Sequence, residues 1–167
     1  GGRVSRMVPP EWPAFPAGER FGRLYDVAPV SAIEAARANY HALGMMLAEV
    51  GVTVDCAPLL DVVTPEVTQA IGDRAFGGEP MRVSALGQAC VEGLRRGGVV
   101  GVVKHMPGHG RALVDSHLEL PRVRADAAAL EADIAPFHAL RHAPMGMTCH
   151  VVFEAWDAER PATLSPR

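Results

Sequence analysis

Four valines, Val99, Val100, Val102 and Val103, lead into Lys104-His105-Met106-Pro107-Gly108-His109-Gly110, and four residues later the chain reads Asp115-Ser116-His117. A continuous β-branched run suits a strand buried on both faces, as in a parallel sheet. Whatever follows such a strand is delivered to one mouth of the sheet, and here that is a lysine, three histidines and an aspartate within residues 104–117. The run therefore constrains the chain to an α/β architecture with its chemistry on the loops after the strands.

The flanking sequence fits that frame. Residues 1–30 are rich in Pro and Gly with little periodicity and predict a long βα loop holding at most one short helical turn. Ser31 and Glu34 have capping-box spacing, and Ala36, Tyr40, Leu43, Leu47 and Val50 recur along one face, which predicts a helix ending at Gly51. Val52 to Leu60 reads as a strand presenting Asp61 at its C-terminal end. A polar loop with Ile71-Gly72-Asp73-Arg74-Ala75-Phe76-Gly77 follows. A helix over 80–96 places Val83, Leu86, Cys90 and Leu94 together, with Pro80 in its first turn and Gly97-Gly98 as its stop. The valine strand covers 98–104. A third helix over 126–141 presents Leu130, Ile134, Phe137 and Leu140 despite Pro136, and Met145 to Val152 is a further strand.

This helix–strand alternation over 31–152, followed by a loop over 153–167, is the rhythm of βα units on a parallel sheet within a single domain, 1–167. Three strands cannot close a (β/α)8 barrel, which takes about 250 residues. The chain is then a small open sheet or the middle of a larger barrel.

Composition narrows the function. With 49% apolar and 21% charged residues the chain is globular, and its net charge of −3, without Lys and Arg clustered among aromatics, argues against a nucleic-acid partner. Cys56, Cys90 and Cys149 are odd in number and widely spaced, which suits reduced thiols in the cytoplasm. No apolar run approaches the ~20 residues that cross a bilayer, so no membrane role is expected. The opening residues lack the apolar core of a signal peptide.

The candidate chemistry starts with His117, because an acid/base group must titrate near working pH and imidazole does so unaided. Asp115, two residues before it, can orient the ring and stabilise its imidazolium. Lys104 and His105 leave the strand together, a point charge with three donors beside a ring that donates or accepts, which suits a grip on vicinal hydroxyls. Pro107, Gly108 and Gly110 allow a sharp turn and positive φ, releasing an arm that carries 111–120. Arg74 can reach over the mouth from its loop. His105 and His109 have zinc-protease spacing, but Pro107-Gly108 forbids the helix that motif needs. A non-helical metal site of His105, His109, Asp115 and His117 stays open at this point. The phosphate-loop pattern is absent, since the lysine precedes the glycines.

These segments together, KHMPGHG and DSH with CAPLLDV (56–62), IGDRAFG, MTCHVVF (147–153) and the opening GGRVSRM, resemble the family 3 glycoside hydrolases along essentially the whole chain, in particular the bacterial β-N-acetylhexosaminidases. The resemblance implies a (β/α)8 TIM barrel, of which this chain is about strands 3 to 5. It also implies retaining removal of a terminal, non-reducing β-linked N-acetylglucosamine, as from muropeptides in cell-wall recycling. By the same resemblance His117 is the general acid/base and Asp115 its dyad partner, Arg6, Arg74, Lys104 and His105 bind the sugar, and no metal or organic cofactor takes part. A histidine here replaces the acid carboxylate of the usual pair.

Two departures matter. The family's Asp before the two opening glycines precedes residue 1. Its nucleophilic Asp lies in a Ser-Asp-Asp segment that would follow PATLSPR, so the 167 residues alone are expected to be inactive. A metal-dependent hydrolase of the same fold and a non-catalytic sugar-binding relative are the competing expectations.

Overall fold

The computed structural model describes residues 5–66 and 70–166. Gly1 to Val4 of the opening motif lie outside the described residues. The elements are helices α1 (Gly18–Val27), α2 (Pro29–Glu49), α3 (Pro80–Arg96) and α4 (Ala127–Ala139), and strands β1 (Val54–Asp55), β2 (Val100–Met106), β3 (Arg122–Val123), β4 (Met145–Thr148) and β5 (Val152–Phe153). The sheet is parallel, as expected, with β2 between β1 and β4, Val54 opposite Val100 and Val102 opposite Met145. A second parallel pair, β3 with β5, was not foreseen.

Strand β2 shows why the valine run ties the fold together. Its side chains alternate between faces. Val99 packs with Leu47 and Leu94 beneath the helices, and Val103 joins Phe76, Val83, Leu86 and Phe137 in the main core. Gly101 between them lies against the Ala57 carbonyl and Leu94. Val100, Val102 and Lys104 occupy the other face. At the sheet's outer edge, β4 is exposed at all four positions.

Two helices begin as read. The Glu79 carboxylate accepts from the amides of Met81 (2.8 Å) and Arg82 (2.6 Å) at the start of α3, with Pro80 in the first turn. Asp126 accepts from Ala129 N at 2.8 Å and caps α4, which runs on through Pro136.

Elsewhere the expectation needs correction. The 1–30 segment is not a loop throughout, because α1 forms and buries Phe21 against the main core. Ser31 and Glu34 make no capping box: α2 starts at Pro29, whose preset φ opens the helix ahead of Ser31, and Glu34 pairs with Arg37 instead. Val50 caps that helix and is exposed rather than on its buried face. The strand read over 52–60 is only Val54–Asp55, with a single bridge resuming at Leu59 opposite Lys104. Pro58 interrupts it, since proline brings no N–H to the ladder, though its carbonyl accepts from Lys104 N. The valine strand runs to Met106, and the 145–152 strand divides into β4 and β5.

Candidate active site

The centre of the site is a carboxylate, Asp61, that sequence reading placed at a strand end without assigning it a role. Leu60 N donates to the Lys104 carbonyl (2.6 Å), so the parallel pairing sets Asp61 beside His105. Asp61 is fully buried and accepts from His109 N (2.7 Å) and His105 N (3.2 Å) through Oδ1, and from His105 Nδ1 (2.9 Å) through Oδ2. Burial pushes its carboxyl up, but the His105 ring and the two amides more than offset this, holding it below its ordinary range. An ionised Asp61 takes a proton donor at His105 Nδ1, which leaves Nε2 as the atom through which His105 can meet a ligand.

Lys104 stands one residue before that cluster. Burial and then the nearby Arg74 guanidinium push its ammonium below the usual lysine value, against the pull of Cys56, Asp55 and Asp61. Arg74 and Lys104, widely separated in sequence, thus lie within electrostatic reach of each other. Arg74 closes a short 3-10 turn, Gly72–Arg74, whose backbone rests on α1. A Cβ on Gly18 would fall 2.2 Å from the Arg74 carbonyl oxygen, and one on Gly22 would fall 1.9 Å from that of Phe76. Those two glycines let a helix seat the arginine's backbone directly.

The signature loop uses its glycines for two different purposes. Gly108 has φ +140°, a conformation L side chains rarely adopt. Gly110 does not need positive φ; a Cβ there would meet the Val62 carbonyl oxygen at 1.8 Å, so the loop lies flat on the strand end that follows Asp61. Arg111 then pins the arm to α4, its Nε donating to Asp133 Oδ2 (2.6 Å) and its guanidinium to the Ala129 carbonyl (3.1 Å). Burial pushes the Asp133 carboxyl up despite that partner.

Asp115 and His117 are joined by hydrogen bonds. Asp115 Oδ1 accepts from the His117 amide (2.9 Å) and from its Nδ1 (2.7 Å), which hold the carboxyl below its ordinary range. The His117 side chain is 86% exposed. This pair therefore stands out from the floor built by Asp61, His105, Lys104 and Arg74. Arg6 is exposed in a bend before α1, and its part in a sugar site stays an expectation. Among the described residues no three His, Cys, Asp or Glu side chains gather closely enough to hold a metal ion. The four-residue metal site considered above is thus not assembled. A cavity of about 490 Å3 beside Met106 and Pro107, walled by Phe153 and Trp156, is lined by none of the six candidate site residues.

Sequence reading missed Asp61, and weighed His109 only as a metal ligand. The signal for Asp61 was available: a carboxylate ending an apolar strand, at the same end of the sheet as Lys104 and His105.

All 167 residues match the Glycosyl hydrolase family 3 N terminal domain. The chain is 41% identical to the β-hexosaminidase of Alkalilimnicola ehrlichii over 172 aligned positions, 99% of this chain and 47% of that protein. It is 36% identical to the β-hexosaminidase of Bordetella avium, over 100% of this chain and 48% of that one. In three dimensions it resembles NagZ from Neisseria gonorrhoeae in complex with N-trifluoroacetyl-D-glucosamine, with a TM-score of 0.91, 34% identity, and coverage of 99% of this chain and 49% of that one. The chain spans about half the length of the relatives it matches. On that whole-length match and the geometry above, the chain belongs to the N-terminal domain family of the family 3 glycosyl hydrolases.

Proposed function

We propose that these 167 residues form the part of a (β/α)8 barrel, about strands 3 to 5, that carries the acid/base and sugar-binding side of a retaining β-N-acetylhexosaminidase. The single observation that carries this reading is the Asp115–His117 hydrogen bond of 2.7 Å at Nδ1. It leaves Nε2 to present a proton, with a carboxylate behind the ring to stabilise the imidazolium. Support for the sugar comes from the similarity to a NagZ complexed with an N-acylglucosamine analogue, and from the names of the curated relatives. Support for the barrel comes from the parallel order β1-β2-β4 and from the exposed β4 edge, which further strands would cover.

In this reading the sugar lies against Lys104, Arg74 and His105, whose donors and His105 Nε2 grip its hydroxyls, with Arg6 closing from the first loop. A carboxylate from beyond these residues attacks the anomeric carbon. The glycosidic bond breaks, and its oxygen leaves with the proton from His117 Nε2. His117 then takes a proton from water as that water displaces the carboxylate. The natural substrate is a β-linked N-acetylglucosamine of peptidoglycan fragments, handled in the cytoplasm; the three free cysteines fit a reducing compartment. No cofactor takes part. The 167 residues contain no Ser-Asp-Asp segment, so a polypeptide of these residues alone turns over no aryl β-N-acetylglucosaminide.

The test is a chimaera in which these residues replace the matching region of the Alkalilimnicola β-hexosaminidase. It should hydrolyse aryl β-N-acetylglucosaminides. His117→Ala should cut kcat/KM for a phenyl glycoside by about a hundredfold or more while sparing a dinitrophenyl glycoside, whose leaving group needs no proton. Equal loss on both would overturn the assignment.

A further inference from the structure

The dyad turn and the buried floor are joined at one side chain that the proposed chemistry does not use. Asp115 organises a compact turn: its carbonyl accepts from the amides of Leu118 (2.9 Å) and Glu119 (3.0 Å), while its carboxylate holds the His117 amide and ring. Ser116 sits in that turn between the two dyad residues, and its Oγ lies 3.1 Å from His109 Nε2. His109 is 4% exposed, its amide is held by Asp61, and its ring meets that of His105 edge-on at 5.8 Å between centroids. Burial is the main influence on its ring and favours the neutral form. A neutral imidazole carries one N–H. With the hydrogen on Nε2 the Ser116 hydroxyl oxygen accepts it, and with the hydrogen on Nδ1 the hydroxyl donates to Nε2, so the bond forms with either tautomer.

We propose that His109 and Ser116 are positioning residues: their hydrogen bond mounts the Asp115–His117 turn on the Asp61 cluster and so sets where the acid/base histidine meets the sugar. One carboxylate, Asp61, thereby places both His105, which touches substrate in the reading above, and His109, which carries the turn. The proposal rests on that reading of His117 as the acid. Its consequence is specific, because a misplaced acid penalises only substrates that need one.

The experiment uses the same chimaera with the phenyl and dinitrophenyl glycosides. Ser116→Ala should lower kcat/KM for the phenyl glycoside by about tenfold, the effect of losing one aligning hydrogen bond, and change the dinitrophenyl value by less than about twofold. His109→Leu should show the same split. His109→Gln, which keeps an N–H near the Nε2 position, should recover most of the phenyl activity. The double variant Ser116→Ala with His109→Leu should lose no more than either single variant, since both remove one interaction. Ser116→Ala lies on the surface arm and keeps the test open if the buried His109→Leu fails to fold. If His117→Ala shows the leaving-group split and Ser116→Ala does not, the mounting role is wrong and the acid assignment stands. If His117→Ala shows no split, the underlying reading fails and this inference with it.

Discussion

Two Asp–His pairs stand close together in this fold, with nearly the same hydrogen-bond length and opposite surroundings. Asp61 and His105 are joined at 2.9 Å, with the carboxylate fully buried; Asp115 and His117 are joined at 2.7 Å, with the imidazole side chain 86% exposed. In the first, the carboxylate is committed three times over, to one ring and two amides, and burial works against its charge. In the second, the amide and ring of His117 hold the carboxylate ionised with little burial to oppose them. Distance therefore does not set the two pairs apart. Access does: the buried carboxylate fixes the geometry of three donors, whereas the exposed imidazole can exchange its proton with water.

Exchanging stability for activity at the two carboxylates breaks or sharpens the contrast most directly. Asp115→Asn in the chimaera should lower kcat/KM for the phenyl glycoside by about a hundredfold, because the imidazolium loses its counter-charge, with the thermal unfolding midpoint unchanged. Asp61→Ala should lower activity too, since His105 and His109 are both held by it, but unlike Asp115→Asn it should also lower stability. It leaves a part-buried ring and two amides without their acceptor, so stability should fall by about 3–5 kcal/mol, read as a shift in the urea midpoint. A large loss of stability from Asp115→Asn, or none from Asp61→Ala, would erase the distinction.

A smaller effect tests how the floor is seated. Gly22→Ala puts a methyl where the Phe76 carbonyl oxygen would be 1.9 Å away, and backbone cannot swing aside as a flexible side chain can. The expected cost is about 1–3 kcal/mol. Because the same backbone carries Arg74, KM for both glycosides should rise together, without the leaving-group split that marks the dyad arm.

How much of this was legible follows the range of the interactions involved. The valine run, Pro80 and the Gly97-Gly98 stop act within a few residues of themselves, and the parallel sheet and α3 were readable from them. The Asp115–His117 hydrogen bond is likewise local, since its partners are two residues apart. Helix α1 was hidden because Gly18 and Gly22 read as loop residues, whereas in the fold they are the contact face that a neighbouring backbone requires. Ser31-x-x-Glu34 is a true capping pattern overridden by Pro29, which starts the helix earlier. Asp61 was visible as a strand end, but its partnership with His105 depends on the register of two strands far apart in sequence, and register is not written in either strand alone.

The finest distinction between the two regions lies in their response to acid. His109 belongs to the buried region, and burial leads the influences that hold its ring below the ordinary value of 6.5, with His105 adding to it while Asp61 and Asp115 oppose. A base whose folded value is depressed binds fewer protons folded than unfolded in the window beneath 6.5. Its contribution to stability is complete above that value and declines as pH falls through the window. Asp61, with a depressed carboxyl, loses its contribution only at lower pH, beneath the ordinary carboxylate value of 3.8. Between pH 7 and pH 5 the chimaera should therefore lose Tm that His109→Gln does not lose, while Asp115→Asn leaves the decline in place. A decline that persists in His109→Gln would move the acid sensitivity out of the buried floor.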